Sequence, residues 1–307
     1  MRDSEASPSA PSSESRRDRS EHPRAFWLGC AVWSFRGWLG KFYPADSSSK
    51  DFLRLYGDRF TTVEGNTTFY AVPDTKTITR WASETPPGFK FCLKLHRDIT
   101  HRGAIMPHLP AALDFCDRVR GLGDRLGPTF MQLPPSYSPA YLDDLQEVVQ
   151  AWPHHDVPLA IEVRHLAWWK SPYAERLHEL MQELHISRVL LDTRTMYDGA
   201  DDPQVHSQRR KPKVPLVPEL TTDTAFVRFI SHPEGDRNLA YLQEWRALVN
   251  AWLRQGKQVY FFVHCPDERR SPDTARSFQR MLERVGAPIP PLPWDSASEP
   301  ANQLTLF

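Results

Sequence analysis

Side chains that can exchange protons stand at the ends of short apolar runs along this chain of 307 residues. The acidic and imidazole groups among them are Glu64, Glu162, Asp192 and His264. Gathered at one pocket, such groups could act as general acids and bases in the hydrolysis of a phosphodiester or glycosidic bond. We therefore predict that these four side chains are catalytic.

A second set of polar and aromatic side chains stands at or just after the same runs and could bind a ligand. Guanidinium groups hold phosphate oxygens, amides orient a ligand, and aromatic rings stack on bases or sugars. The predicted ligand-binding residues are Trp33, Asn66, Tyr70, His96, Gln132, Arg164 and Arg228. The ligand would bear phosphate or sugar and could be a nucleic acid. The alternative is structural, with Glu162 and Arg164 as a salt bridge and the rings packed under loops.

Carboxylates and imidazoles could also bind a divalent metal ion. No motif supports this, because His178-Glu179 is followed by Gln182 where an HExxH motif needs its second histidine. The chain also lacks GxGxxG, a phosphate loop ending in GK[ST], and GxSxG. The sequence thus predicts no cofactor, and it argues against a dinucleotide enzyme, a phosphate-loop nucleotidase and an α/β-hydrolase.

Eight short apolar runs must position these side chains, and a helical pattern follows seven of them. The runs are Trp27–Val32, Thr61–Val63, Phe89–Leu95, Thr129–Leu133, Leu159–Val163, Val189–Leu191, Phe226–Phe229 and Val259–Val263. Near-continuous apolar runs are typical of parallel strands that are buried on both faces. A parallel barrel gathers the carboxyl ends of its strands at one mouth, where active sites lie. We predict an α/β fold, a single (β/α)8 TIM-type barrel with one pocket at that mouth.

Three helices are predicted to begin at Ser-Pro pairs, because serine caps free backbone amides and proline suits the first helical position. The pairs are Ser138-Pro139, Ser171-Pro172 and Ser271-Pro272. One connection, between Asp192 and Ala225, has no helical pattern and is predicted to be a long loop. Loops of that length are usually functional or mobile. Its basic run, residues 208–213, could belong to such a functional loop or simply be solvated.

Composition sets the domain boundaries. Residues 1–24 are rich in Ser, Pro and charge and are predicted to be a disordered tail. Residues 25–286 would form the barrel, since 40% of the chain is hydrophobic, and residues 287–307 would form a Pro-rich C-terminal tail. Lys and Arg together number 38, as do Asp and Glu, so net charge offers no overall attraction to nucleic acid.

The expected location is cytoplasmic, with no membrane association. No apolar stretch resembles a signal peptide or reaches transmembrane length. The four cysteines, at positions 30, 92, 116 and 265, form no CxxC pair. They are therefore expected to be reduced thiols in the core or at the edge of the pocket.

Several short motifs along the chain occur together in one known family. They include Trp33–Trp38, Phe42-Tyr43-Pro44, Glu64–Tyr70, Trp81 with Thr85–Phe89, Gln132–Pro135 and Glu162–His165. Over about residues 27–285 the chain resembles the YecE-like family, domain of unknown function 72. The resemblance implies an eight-stranded barrel and no established activity. Its polar positions correspond to Glu64, Asn66, Gln132, Glu162, Arg164, Asp192 and Arg228, whereas His264 stands where many members are expected to have asparagine.

The end of the chain carries a separate motif. Gln303-Leu304-Thr305-Leu306-Phe307 is similar to the QLxLF peptide that docks bacterial replication and repair proteins on the sliding clamp. Its four fixed residues would occur at one place by chance about once in 10⁵. We predict that Gln303, Leu304, Leu306 and Phe307 bind the clamp; the alternative is a tail that folds back on the barrel.

Two functions are consistent with these features. The first is a hydrolase-type enzyme acting on a phosphodiester or glycosidic bond in nucleic-acid maintenance. The second is a non-catalytic module that binds nucleic acid or a partner and is recruited to the clamp through its tail. Strongly shifted carboxylate pKa values in an open pocket would favour the enzyme. Paired Arg–Glu bridges without a free base would favour the binding module.

Overall fold

The computed structural model describes residues 24–205 and 210–296, in which parallel strands alternate with helices. The strands are β1 (Phe26–Cys30), β2 (Thr62–Gly65), β3 (Lys90–Leu93), β4 (Thr129–Gln132), β5 (Leu159–Glu162), β6 (Ser187–Asp192), β7 (Thr224–Ile230) and β8 (Gln258–His264). The α-helices are α1 (Phe52–Gly57), α2 (Thr75–Glu84), α3 (Arg97–Thr100), α4 (Leu109–Val119), α5 (Leu142–Gln150), α6 (Tyr173–Glu183), α7 (Leu239–Arg254), α8 (Ser271–Arg284) and α9 (Pro293–Ser296). All eight predicted strands are present, each close to its predicted bounds.

The strands form two parallel sheets. Six of them pair in the order β1-β8-β7-β6-β5-β4, and β2 pairs with β3. Every pairing is parallel, so the carboxyl ends of the strands in each sheet lie along one edge. The chain therefore has an α/β fold built on parallel strands, as the continuous apolar runs predicted.

Alternation along the strands sorts the side chains into two layers. A buried apolar cluster on one face takes one residue from most strands: Trp27, Cys92, Phe130, Ala160, Val189, Phe226, Tyr260 and Phe262. The opposite face contributes to the larger core beneath the helices. Because successive residues alternate between faces, the residue two positions beyond each cluster member points to the same side. Five of those positions hold polar residues, which are Lys94, Gln132, Glu162, Arg228 and His264.

A helix begins at or just after each of the three Ser-Pro pairs, as predicted, but only one of the three serines caps it. Ser138 is a cap, because its hydroxyl accepts a hydrogen bond of 3.3 Å from the Ala140 amide just before α5. At the other two pairs a helix also begins, but the serine is not its cap. Pro172 occupies the N-cap position of α6, and Ser271 is the first residue of α8. The Ser271 hydroxyl instead donates a hydrogen bond to Glu268.

Part of the predicted C-terminal tail packs on the rest of the fold. Leu292 is buried, and the Trp294 ring contacts Phe42 and Phe60 edge-on at centroid distances of 4.9 and 5.6 Å. Residues 297–307, with the clamp-like motif, and residues 1–23 of the predicted N-terminal tail lie outside the described residues. None of the helices given above combines the length and hydropathy needed to span a membrane.

Candidate functional site

Arg228 on β7 joins two buried carboxylates at the carboxyl ends of the strands. Its Nε and Nη2 atoms donate hydrogen bonds of 2.7 and 2.8 Å to the two carboxylate oxygens of Glu64 on β2. Its Nη1 atom donates to Glu162 on β5. The three side chains are at most 2% exposed. A guanidinium that forks between two carboxylates satisfies its donors without water, which is what burial of a charge requires.

Three further side chains complete what we call the Arg228 cluster. Asn66 donates a hydrogen bond of 2.8 Å to Glu64, and His264 Nε2 lies 2.9 Å from the other oxygen of the same carboxylate. Arg164 Nε donates at 2.6 Å to the Glu162 oxygen that Arg228 does not contact. Every oxygen of both carboxylates thus has a partner.

These partners keep both carboxylates ionised. Burial by itself would raise the pKa of Glu64, but the charge of Arg228 and the hydrogen bonds from Arg228 and His264 lower it well below its ordinary value. Burial acts in the same direction on Glu162, and Arg228 with Arg164 outweighs it, lowering that pKa to about 2. A carboxylate that is fully hydrogen-bonded and so weakly basic is a poor proton acceptor at neutral pH.

Lys94, directly after β3, stands beside the Arg228 cluster and is 7% exposed. Its Nζ donates a hydrogen bond of 3.0 Å to the amide oxygen of Gln132, which also accepts one of 2.7 Å from Arg164. Nζ lies 3.8 Å from the centroid of the Phe69 ring. Burial, followed by repulsion from Arg228, lowers the pKa of Lys94 to about 7.

A cavity of about 760 Å³ opens above these groups, and we call it the strand-end cavity. Among the described residues, many of those that line it are charged, and most of these charged residues are basic. The lining charges are Lys94, Arg97, Arg102, Arg164, Arg210, Lys211 and Arg228 against Asp98 and Glu268. Burial and Arg228 lower the pKa of Lys211 to about 8, while burial raises that of Glu268 to about 7. The cavity is therefore suited to an anionic ligand.

Most of the predicted site residues are brought together here. Those in the Arg228 cluster or the lining of the strand-end cavity are Glu64, Asn66, Tyr70, Gln132, Glu162, Arg164, Arg228 and His264. The grouping follows from the alternation of the strands. Gln132, Glu162 and Arg228 each stand two residues beyond a member of the inner apolar cluster.

Asp192 lies outside this group, contrary to the prediction. On β6 the inward positions are Val189 and Leu191, so the next residue points to the opposite face. There the Asp192 carboxylate accepts hydrogen bonds of 2.9 Å from Arg194 Nη2 and 2.7 Å from the Trp245 indole on α7. It therefore joins the strand to the helical layer.

Trp33 and His96 also lie away from the strand-end cavity. The Trp33 ring is 8% exposed and packs edge-on against Trp81, with centroids 5.2 Å apart. The His96 Nδ1 atom accepts a hydrogen bond of 3.2 Å from the Asp98 amide and caps the first turn of α3. Both predicted ligand-binding residues therefore make structural contacts instead.

Other lining residues were not among the predicted site residues. Lys94 could have been found, because it stands two residues beyond Cys92 in the inner cluster. Lys211 belongs to the basic run of the long loop, which was noted without a role. Glu268 follows β8 in a short 3₁₀ turn, and its charge alone did not distinguish it from a solvated residue.

The arrangement does not resemble a metal centre. Within residues 24–205 and 210–296, no three His, Cys, Asp or Glu side chains are close enough to bind one ion together. The Arg228 guanidinium stands between Glu64 and Glu162, in the place a shared cation would need.

Comparison with known proteins agrees with the fold. The model of the family described as "Protein of unknown function DUF72" matches residues 27–297. The UPF0759 protein YecE of Escherichia coli K12 is 28% identical over 278 residues, which is 88% of this chain and 98% of that protein. YunF of Bacillus subtilis is 24% identical over 288 residues, which is 84% of this chain and 93% of that protein.

Two solved structures of DUF72 proteins are also similar. The Thermotoga maritima protein superposes with a TM-score of 0.63 at 23% identity and covers 84% of this chain and 99% of its own. The Enterococcus faecalis protein gives a TM-score of 0.61 at 18% identity and covers 86% and 98%. Since the family model spans most of the sequence, the chain belongs to the DUF72 family.

Proposed function

We propose that the strand-end cavity binds a phosphate-bearing ligand. The observation that carries the proposal is the excess of seven basic over two acidic side chains in the lining given by the described residues. A phosphate group would take charge-assisted hydrogen bonds from Arg164, Lys211 and the exposed lining residues Arg97, Arg102 and Arg210. The volume of about 760 Å³ is in the range of small-molecule sites. It would also admit the end of a nucleic-acid strand.

The state of the carboxylates favours binding over hydrolysis by Glu64 or Glu162. Each oxygen of Glu162 accepts a hydrogen bond from a guanidinium group, and the oxygens of Glu64 are partnered by Arg228 and His264. In this proposal they hold Arg228 in place. If the protein is a hydrolase of a phosphodiester or glycosidic bond, the proton would come from a group such as Glu268. Desolvation raises the pKa of that carboxyl to about 7.

Binding can be tested by calorimetric titration with ribose 5-phosphate, ribose and a short single-stranded oligonucleotide. The cavity variant is Lys211→Met, and its matched control is Lys213→Met in the same loop, which is not among the lining residues. We expect binding of the phosphate-bearing probes and not of ribose. We also expect a loss of roughly 10-fold or more in Lys211→Met only, as for one charge-assisted contact.

Failure of every phosphate-bearing probe to bind would overturn the proposal. Equal weakening by the two lysine substitutions would place the phosphate outside the strand-end cavity. Incubation with bis(p-nitrophenyl) phosphate and with a p-nitrophenyl glycoside tests the hydrolase form separately. Release of nitrophenol by the purified protein, lost in Glu268→Gln, would support it.

We further propose that the two sheets close into one (β/α)8 barrel. Backbone hydrogen bonds at both junctions support this. The Thr61 amide donates to the Leu28 carbonyl on β1 at 3.1 Å, and the Leu95 amide donates to the Phe130 carbonyl on β4 at 3.0 Å. The bidentate contact between Glu64 on β2 and Arg228 on β7 crosses the interior between the sheets.

A second proposed function is recruitment to a bacterial sliding clamp in the cytoplasm through Gln303–Phe307. It is supported by the fit of this sequence to the QLxLF pattern at four positions. In such peptides Leu and Phe side chains fill an apolar pocket while Gln makes polar contacts. Together with a phosphate-binding cavity, this would place the protein beside DNA.

A further inference from the structure

Lys94 is a buried lysine that forms no ion pair with a carboxylate of the described residues. Within the described ranges, no carboxylate oxygen lies within the 4.0 Å salt-bridge distance of its Nζ. Its one hydrogen bond is to the amide oxygen of Gln132, which it shares with the guanidinium of Arg164. Fully buried lysines are rare unless they are paired. The position thus needs an explanation other than a salt bridge.

The neighbours of the amine disfavour its charged form. Arg164 is close, because it donates to the same oxygen, and Arg228 stands over the same Phe130 ring at 5.0 Å, where Nζ is at 5.7 Å. The face of Phe69 favours an ammonium, and so do the charges of Glu162 and Glu64. The loss of water, followed by repulsion from Arg228 and Arg164, outweighs these attractions and lowers the pKa of Lys94 to about 7.

We propose that Lys94 is a nucleophile that forms an imine with the carbonyl carbon of a phosphate-bearing aldehyde or ketone. The inference deepens the proposed function and rests on it for the phosphate. Lys94 is one of the residues that line the strand-end cavity, beside Gln132, which accepts the hydrogen bond from its amine, so a ligand held there by its phosphate would lie next to Lys94. A desolvated lysine beside other cations is a recognised way of activating an amine as a nucleophile.

The reaction balances without an oxidant or reductant. The nitrogen lone pair of the neutral amine forms a bond to the carbonyl carbon, giving a carbinolamine. The two amine protons and the carbonyl oxygen then leave as one water molecule, and a carbon–nitrogen double bond remains. Glu268, which lines the same cavity, carries a carboxyl whose pKa is raised by burial to about 7 and could protonate the departing oxygen.

The test is reductive trapping on the intact protein. Glyceraldehyde 3-phosphate or glyceraldehyde is added at pH 7 with cyanoborohydride, which reduces an imine to a stable secondary amine. Peptide mass mapping then compares adducts on Lys94 and on Lys90. Lys90 is the matched control, because it is the first residue of β3, the strand that precedes Lys94, and its amine donates to the Asp124 carbonyl instead. The variant Lys94→Met, with its fold checked by thermal melting, lacks this amine, so any label that it acquires is on other lysines.

We expect at least a 10-fold excess of the phosphorylated adduct on Lys94 over Lys90. We also expect half-maximal trapping near pH 7 rather than near the ordinary lysine value of 10.5. Labelling of Lys94 no greater than that of Lys90 would overturn the imine proposal, even if ribose 5-phosphate binds. Equal labelling by the aldehyde with and without phosphate would instead leave the imine and overturn the phosphate site.

Discussion

Arg228 and Glu64 form a bidentate pair across the interior of the fold, although 164 residues separate them in the chain. Arg228 belongs to the six-stranded sheet, and Glu64 belongs to the two-stranded pair. The contact therefore ties the two sheets together at the carboxyl ends of their strands. Because both groups are fully buried, breaking the pair leaves a charge that water cannot reach.

We expect Glu64→Gln to lower the free energy of unfolding by about 3 to 5 kcal/mol, since it removes a charge and leaves Arg228 buried beside a neutral amide. Urea denaturation at pH 7 measures the change. Asp58→Asn is the matched control, because it breaks the exposed ion pair with Arg54 and should cost no more than about 0.5 kcal/mol. Equal effects of the two substitutions would show that the Glu64–Arg228 pair is not structural.

The same experiment separates two roles for Glu162. If Glu162 chiefly holds Arg228 and Arg164, Glu162→Gln should destabilise the fold to a similar degree, about 3 kcal/mol or more. If it is an acid or base in catalysis, the variant should keep its stability and its affinity for ribose 5-phosphate while losing turnover. The contacts of both Glu162 oxygens predict the first outcome.

Much of the site could be predicted, because its polar residues stand at the ends of the apolar runs that form the strands. Glu64 and Asn66, two residues apart, were correctly expected to point the same way. In the structure Asn66 donates a hydrogen bond to Glu64. The prediction that Asp192 faces the pocket failed for a physical reason. The run Val189–Leu191 is apolar throughout, so the sequence does not reveal which of its residues face inward. Fully buried parallel strands hide their own alternation.

The residues supplied by loops could not be placed from the sequence. Lys211 reaches the strand-end cavity because its loop is held by the hydrogen bonds of its backbone to Gln204 and Tyr197. Those contacts depend on the path of a connection whose described residues form no α-helix. Glu268 gains its raised pKa from burial, which the charge pattern of a single sequence does not show.

We expect a stability loss between pH 6.5 and 4 that originates at His264. Burial lowers the pKa of His264 from 6.5 to about 4, so in this range the unfolded chain binds a proton that the folded protein does not. Unfolding is therefore favoured as the pH falls, by about 2 to 3 kcal/mol at pH 4.5 relative to pH 7. Urea denaturation at both pH values should show this loss in the wild type and in His155→Asn, which changes an exposed histidine.

His264→Asn should remove most of that difference, since asparagine does not titrate but can still donate a hydrogen bond to Glu64. A pH dependence that is the same in His264→Asn and in the wild type would assign the loss to other groups. Below pH 4.5 Glu64 and Glu162 add to the decline. Their folded pKa values are depressed, and the stability they contribute is lost as those values are approached.

Lys94 should act on stability in the opposite pH range. Its folded pKa is about 7 and its ordinary value is 10.5, so between these values the unfolded chain holds the extra proton. The free energy of unfolding should therefore rise, by about 1 to 2 kcal/mol from pH 7 to pH 8.5. Lys94→Met should lose this rise and be at least as stable as the wild type at pH 7, whereas Lys90→Met should keep it. A large destabilisation in Lys94→Met would mean that the amine is held as a structural cation.

The proposed clamp contact makes a prediction that is independent of the strand-end cavity. A short peptide buries little area and loses flexibility on binding, so an affinity in the micromolar range, about −8 kcal/mol, is expected for the intact protein. Leu306→Ala with Phe307→Ala should abolish binding to a purified bacterial sliding clamp, since these side chains would fill the apolar pocket. Thr305→Ala is the control, because the pattern leaves that position open.

Titration of the wild type, the double variant and Thr305→Ala against the clamp, with thermal melting to confirm an unchanged fold, measures both effects. Binding that survives the double substitution, or a melting temperature that falls with it, would favour a tail that packs on its own protein.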